Sequence, residues 1–193
     1  PLSIALFTWI LRKEGFEVDL FDGTQYGDGD LSGPQNRVKF LQARNIFSER
    51  NLTLLKQNDM SKDFQEKVES FNPDLILYSF TEDAFSRALQ LLRISNAYKT
   101  PTVVGGILVS SAPEWVLSFP EVTMLCVGEG EEVVKEVALR LSSAKDISNI
   151  QNLWIKQNNG TVVRNSRRPY INLDDYLMDF SLFNEDRFVR PMG

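Results

Sequence analysis

Three short apolar runs, "DLILYSF" (74–80), "PTVVGG" (101–106) and "VTMLCVG" (122–128), alternate with stretches of helical periodicity, and this alternation is the tightest constraint on how the chain folds. An apolar run of four to eight residues bounded by turn residues predicts a strand, and an almost unbroken one such as "LILYSF" predicts burial on both faces of a parallel sheet. The stretches between them read as helices. "EDAFSRALQLLRISNAYKT" turns Phe85, Leu89, Leu92 and Ile94 inward, "SSAPEWVLSFPEV" is a short helix opened by Pro113, and "EGEEVVKEVALRLSS" has Val133, Val134, Val137 and Leu141 as its apolar face. Right-handed crossovers put such helices on both faces of the sheet, so the expected fold class is α/β, a doubly wound, mostly parallel sheet.

The flanks are read in the same way. In "PLSIALFTWILRKEGFEVDLFDGT", Ile4, Leu6, Phe7, Ile10 and Leu11 recur at helical spacing until Gly15, and the alternating "FEVDLFD" predicts a half-buried or edge strand. A helix that opens the chain and then feeds a strand resembles the interior of a strand-and-helix pattern, so a first strand is expected upstream of Pro1. Residues 24 to 60 or so read as a helical insertion, with helical character from Pro34 to Asn51, and either cover the sheet peripherally or form a lid. From Ala144 the pattern changes. "NLWIKQNNGTVVRNS" predicts a hairpin turning at Asn159 and Gly160, and "RRPYINLDDYLMDFSLFNEDRFVRPMG" reads as an extended linker. The expected domains are 1–143 and 144–193.

Composition narrows the chemistry. With 42% hydrophobic and 24% charged residues the 193-residue chain matches a globular domain able to bury a core, and no apolar stretch is long enough to span a membrane. No secretory leader is visible, and the expected location is cytoplasmic. A net charge of -5, from 21 basic and 26 acidic residues, gives no general reason to bind nucleic acid. The cluster of Arg164, Arg167 and Arg168 reads as a solvated or interdomain ion-pairing surface. The absence of histidine removes the usual general base and the commonest metal ligand. The single cysteine, Cys126, reads as a buried structural thiol.

In doubly wound sheets ligands bind outside the carboxyl ends of the strands, which draws attention to Gly105 and Gly106 and, about twenty residues later, Gly128 and Gly130. Glycine there serves either a tight strand-to-helix turn or the close approach of a ligand. Glu129, Glu131 and Glu132 suit a helix start and argue against a phosphate seat, and neither GxGxxG nor GxxxxGK[ST] is present. Ser79, Thr81, Glu82 and Asp83 follow the preceding strand, where helix capping is the alternative to a binding role.

Taken in order, "PLSIALFTWILRKEGFEVDLFD", "NPDLILYSF", "PTVVGG", "FPEV" and "VGEGEE" resemble the cobalamin-binding domain found at the front of many radical S-adenosylmethionine enzymes, over the chain to about Ser143. The resemblance implies that cobalamin lies over the strand ends, its nucleotide tail bordered by Gly105 and Gly106 on one side and Gly128, Glu129 and Gly130 on the other. It also implies that Ser79, Thr81 and Glu82 lie near the ring and that Pro1, Leu2 and Ser3 flank the opening. The tail is similar to the linker that leads, in that family, into a barrel carrying a three-cysteine 4Fe–4S motif and S-adenosylmethionine. That motif is absent from these residues, so these residues alone are not expected to be an enzyme, and the implied partners are cobalamin and a downstream barrel of the same polypeptide. The Asp-x-His-x-x-Gly loop of related corrinoid domains is missing too, so no histidine of these residues ligates cobalt. Two other readings compete: a degenerate domain that has lost the cofactor and acts as a docking or substrate-positioning surface, and another doubly wound module such as a receiver or flavin carrier.

Overall fold

A computed structural model describes residues 2–26, 56 and 58–184. Pro1, the helical character expected from Pro34 to Asn51 and the end of the linker lie outside the described residues.

Helix α1 (Leu2–Lys13) buries Ala5, Leu6, Ile10 and Leu11, and Gly15, at φ +86°, turns the chain out of it. Helix α2 (Met60–Phe71) is capped by Asp59, whose carboxylate accepts from the amides of Ser61 and Lys62, and ends at Asn72 in the left-handed conformation. Strand β1 (Ile76–Ser79) follows, then α3 (Phe85–Ala97) and β2 (Thr102–Gly105). Two short helices, α4 (Ile107–Ser111) and α5 (Pro113–Ser118), lead to β3 (Met124–Cys126), and α6 (Glu131–Ser142) leads to β4 (Leu153–Lys156) and β5 (Val162–Arg164).

The five strands form one sheet in the order β1-β2-β3-β4-β5. β1, β2 and β3 are parallel, with Ile76 opposite Thr102, Ser79 opposite Gly105 and Val104 opposite Leu125. β4 and β5 add to the same sheet antiparallel, through Leu125 opposite Trp154 and Ile155 opposite Val163. Side-chain alternation sorts the core into two layers. Tyr78, Val104, Leu125 and Val127 face α3, α4 and α5 in one cluster, while Leu77, Val103, Met124 and Cys126 face α6. Leu11 of α1 packs on Val134 and Ala138 of α6 and extends that second layer, and Phe64 and Val68 of α2 pack against Leu91. Helices therefore cover both faces, as doubly wound crossovers require.

Two expectations are corrected. "FEVDLFD" forms no strand: its burial alternates as a strand's would, with Phe16, Val18 and Leu20 half-buried between exposed Glu17 and Asp19, but no strand pairs with it among the described residues. β1 is a strand, yet its residues Ile76 to Tyr78 are only half-buried, unlike the fully buried Thr102 to Val104 of β2. Among the described residues no strand neighbours the second long edge of β1. Helix α4 was not expected at all. Ile94 turns inward as expected, half-buried against the cluster of Phe64, Val68 and Leu91. No helix among the described residues is long and apolar enough to cross a membrane.

Leu92 and Leu125 are both fully buried in the first layer. Replacing either by alanine is expected to cost about 2–5 kcal/mol through lost transfer energy and the cavity left behind, read as a lowered midpoint in urea unfolding followed by circular dichroism.

Candidate functional site

Because β1, β2 and β3 are parallel and in register, their carboxyl ends form one edge, with Ser79 directly opposite Gly105. Thr81 and Glu82 follow β1, Gly106 follows β2, and Gly128, Glu129 and Gly130 follow β3, so the sequence-predicted residues after the three strands converge on this edge. Phe7 of α1 comes against Gly130, which brings the start of α1, with exposed Leu2 and half-buried Ser3, to the same side. Pro1 lies outside the described residues. Ser79, Thr81 and Glu82 are exposed. Thr81 sits at the cap of the 3-10 turn Glu82–Ala84 but makes no side-chain cap bond; its hydroxyl donates to Asp83 instead.

The glycines serve different physical purposes. A Cβ at Gly106, where φ is +116°, falls 2.4 Å from the carbonyl oxygen of Phe80, so the turn after β2 exists only without a side chain. At Gly130 a Cβ falls 2.9 Å from the Phe7 ring. Gly128 needs glycine for its backbone, at φ +97°, and the nearest atom to an added Cβ is Asn152 Nδ2 at 3.8 Å. Gly105 has neither reason. Its φ lies outside the positive range and the nearest atom to an added Cβ is the Tyr78 carbonyl at 3.7 Å, an ordinary contact. Nothing in the packing of the described residues requires glycine at this half-buried position of the edge.

Two residues that sequence reasoning missed hold the edge together. Ser110 of α4 accepts a hydrogen bond from the Gly128 amide at 3.0 Å and so ties the turn after β3 to the helix that follows β2. Asn152, fully buried, donates from Nδ2 to the Glu129 carbonyl at 3.0 Å. Neither carries a periodic or motif signal: Ser110 is one of two adjacent serines, and Asn152 precedes an apolar strand.

The acidic run is not helix capping alone, since no side chain caps α6. The Glu129 carboxylate accepts from the Ile171 amide at 3.0 Å, and Glu132 accepts from the Tyr176 hydroxyl at 2.6 Å. Glu131 is buried, and its Oε2 has no hydrogen-bond partner among the described residues. Cys126 beneath it is buried, and burial first, then the Glu131 charge, push its thiol up to about 12, which keeps it protonated and unreactive. Glu129 and Glu132 thereby fasten residues 165–184, which run as a strap over α6 and α1. Arg168 pairs with Glu132 and Glu136, Tyr176 meets the Trp9 ring edge-on at 6.1 Å, and the Asp179 amide donates to the Ala5 carbonyl at 3.0 Å. The Ser181 hydroxyl and amide, with Arg12 behind them, hold the Asp179 carboxyl down at about 2. Arg164 forks onto Glu114 at 2.8 and 2.9 Å. Two of the three clustered arginines thus serve ion pairs inside the chain.

Among the described residues no group of three or more acidic or cysteine side chains is placed to hold a metal ion. A polar cavity of about 380 Å³ lies between residues 20–26, α2 and residues 182–184, and none of the candidate residues lines it. Some of its polar groups pair with one another: Tyr26 donates to Asp63 at 2.8 Å, and Lys56 donates to Tyr26 at 3.4 Å.

The fold matches known proteins. The family model for the B12 binding domain matches residues 40–138, and the chain belongs to that family. Membership displaces the receiver and flavin-carrier readings. The fold is similar to that of the radical S-adenosylmethionine methyltransferase TsrM from Kitasatospora setae, solved with cobalamin and a 4Fe–4S cluster bound, at a TM-score of 0.63 and 17% identity over 92% of this chain and 28% of that one. TsrM with tryptophan substrate and an S-adenosylmethionine analogue gives 0.62 and 19%, over 86% and 27%. The cobalamin-dependent S-adenosylmethionine radical enzyme OxsB, with aqua-cobalamin and S-adenosylmethionine bound, gives 0.59 and 16%, over 88% and 20%. The chain therefore spans between a fifth and three-tenths of these solved relatives. No curated protein sequence matches the chain.

The sorting of the glycines has a direct consequence for stability. Gly105→Ala is expected to change the unfolding free energy by less than about 1 kcal/mol, whereas Gly106→Ala should cost at least about 2–3 kcal/mol through strain and overlap. Urea midpoints of the two variants, compared with the parent chain, read the difference.

Proposed function

We propose that this edge holds cobalamin and that the chain is the cobalamin module of a larger radical S-adenosylmethionine enzyme. The observation that carries the reading is Gly105. Among the glycines at the strand ends it is the one whose missing side chain the packing and backbone of the described residues do not explain, and a ligand lying against β2 would explain it. Support comes from family membership, from the likeness in fold to cobalamin-bound structures, and from the room beside Gly105, where an added Cβ would make only an ordinary contact.

The chain's residues divide the work. Gly105 leaves the end of β2 bare, so that the nucleotide tail of cobalamin would approach the backbone there with Gly106 bordering it, and Gly128 to Gly130 would bound the tail from β3. Ser79 and Thr81 offer hydroxyls and Glu82 a carboxylate, suited to the amide side chains of the corrin. Leu2, 59% exposed, and Ile107, 69% exposed, lend apolar surface that a ring of that size would cover. Bound there, cobalamin would supply a cobalt centre able to carry a methyl group, while a downstream barrel with S-adenosylmethionine and a 4Fe–4S cluster would supply the radical. Methyl transfer is the reaction we favour. These residues contribute no histidine, so they offer cobalt no imidazole ligand from below.

The alternative of a degenerate docking domain expects bulky side chains filling the cleft. The nearest atoms to a Cβ at Gly105 and Gly128 are a backbone carbonyl at 3.7 Å and an asparagine amide at 3.8 Å, which favours the binding reading.

The test is retention of colour. After incubation with hydroxocobalamin and gel filtration, the chain should carry a corrinoid visible spectrum near one equivalent, and Gly105→Val should lose at least about ten-fold in affinity while keeping its circular dichroism. A folded, monodisperse and colourless parent chain would overturn the proposal in favour of the docking domain.

A further inference from the structure

Asn152 occupies a position that a strand-leading asparagine does not ordinarily occupy. It is 3% exposed, at φ +68°, in the left-handed region that asparagine tolerates better than most residues. Each of its polar groups is engaged. Its backbone carbonyl accepts from the Val127 amide at 2.9 Å, and its backbone amide donates to the Ser166 carbonyl at 3.0 Å. Nδ2 donates to the Glu129 carbonyl at 3.0 Å, and Oδ1 accepts from the Arg168 amide at 2.7 Å. Two of these bonds go to the turn that leaves β3, and two go to the strap. Buried amide bonds of this kind are costly to leave unmade, so the turn and the strap are each held in place through one side chain and its own backbone. A second bridge runs parallel to it, from the Glu129 carboxylate to the Ile171 amide at 3.0 Å.

From this geometry we infer that Asn152 is a positioning residue that couples the Gly128–Gly130 turn to the strap at residues 165–171, so that occupancy of the cofactor edge and docking of the strap stabilise each other. The inference rests on the reading of the edge as a cobalamin site. If a ligand fixes the turn, the Glu129 carbonyl and carboxylate are fixed with it, and Asn152 and Ile171 carry that order to the strap. Thermodynamic linkage makes the effect reciprocal: a docked strap strengthens binding by the same factor by which binding strengthens docking. No part of this requires Asn152 to touch the ligand.

Tyr170, 90% exposed and followed by Ile171, whose amide Glu129 holds, gives the strap a reporter, because chymotrypsin cleaves after it faster once the backbone there is released. Two measurements on the chain form the test: the Kd of hydroxocobalamin by absorbance titration, and the rate of cleavage after Tyr170 with and without saturating hydroxocobalamin. The parent chain should be cleaved about ten-fold more slowly when loaded, within the usual range of coupling between sites. Asn152→Gly keeps the left-handed backbone free of strain and removes only the side-chain bridges. It should raise Kd about ten-fold and abolish protection of the strap by the ligand. Asn152→Asp keeps the acceptor for the Arg168 amide but sets a carboxylate against the Glu129 carbonyl. It should weaken binding while leaving cleavage of the unloaded chain unchanged, and it serves if Asn152→Gly fails to fold. If the parent chain binds and both variants bind equally well with the strap still protected, the coupling role is wrong and the cobalamin site stands. If the parent chain itself binds nothing, the site reading fails and the coupling falls with it.

Discussion

The approach of the Gly106 backbone to the Phe80 carbonyl sets the geometry of the whole edge. With an added Cβ only 2.4 Å from that oxygen, the chain leaves β2 along a path open to glycine alone, and this path brings the exits of β1 and β2 together. The rest follows from it. Helix α4 starts immediately after Gly106, which places Ser110 to accept from the Gly128 amide, and the turn after β3 is thereby tied to the turn after β2. A parallel sheet supplies three strand ends at one level; this contact decides that they enclose a shared surface and not three separate loops.

The second feature of the structure is how closely the acidic run after β3 is bound to distant parts of the chain. Carboxylates at the start of a helix are comfortable with its dipole, but Glu129, just before α6, and Glu132, in its first turn, also take hydrogen bonds from Ile171 and Tyr176, more than forty residues away. The strap they hold crosses α1 as well, through Ala5 and Arg12. The segment that reads as an extended linker is thus fastened along the two helices that cover one face of the sheet, and its fastening points adjoin the Gly128–Gly130 turn.

Much of this was legible in the sequence wherever one local signal sufficed. The apolar runs at 76–79, 102–105 and 124–126 are strands, α3, α5 and α6 lie where their periodicity and Pro113 put them, and β4 and β5 turn back at Gly160, with φ +82°. What depended on neighbours was not legible. "FEVDLFD" carries the alternation of a strand, but a ladder needs a partner and none pairs with it among the described residues; β1 carries the composition of a buried strand, and among the described residues one of its long edges has no neighbour. The candidate site shows the same division. That glycines cluster at strand ends is written in the sequence, yet Gly105 and Gly106 look alike there, and only the positions of the Phe80 and Tyr78 carbonyls separate the one that packing demands from the one it leaves free. Asn152 and Ser110 gave no signal because their partners lie 16 to 23 residues away, outside any local pattern.

The most direct measurement is hydrogen exchange across the chain with and without hydroxocobalamin, read by mass spectrometry. Slower exchange on loading, concentrated in residues 79–82, 105–110 and 127–131 and extending to 165–171, is the predicted result. Protection confined to the cavity between residues 20–26, α2 and residues 182–184, with the strand ends unchanged, would contradict the placement of the site.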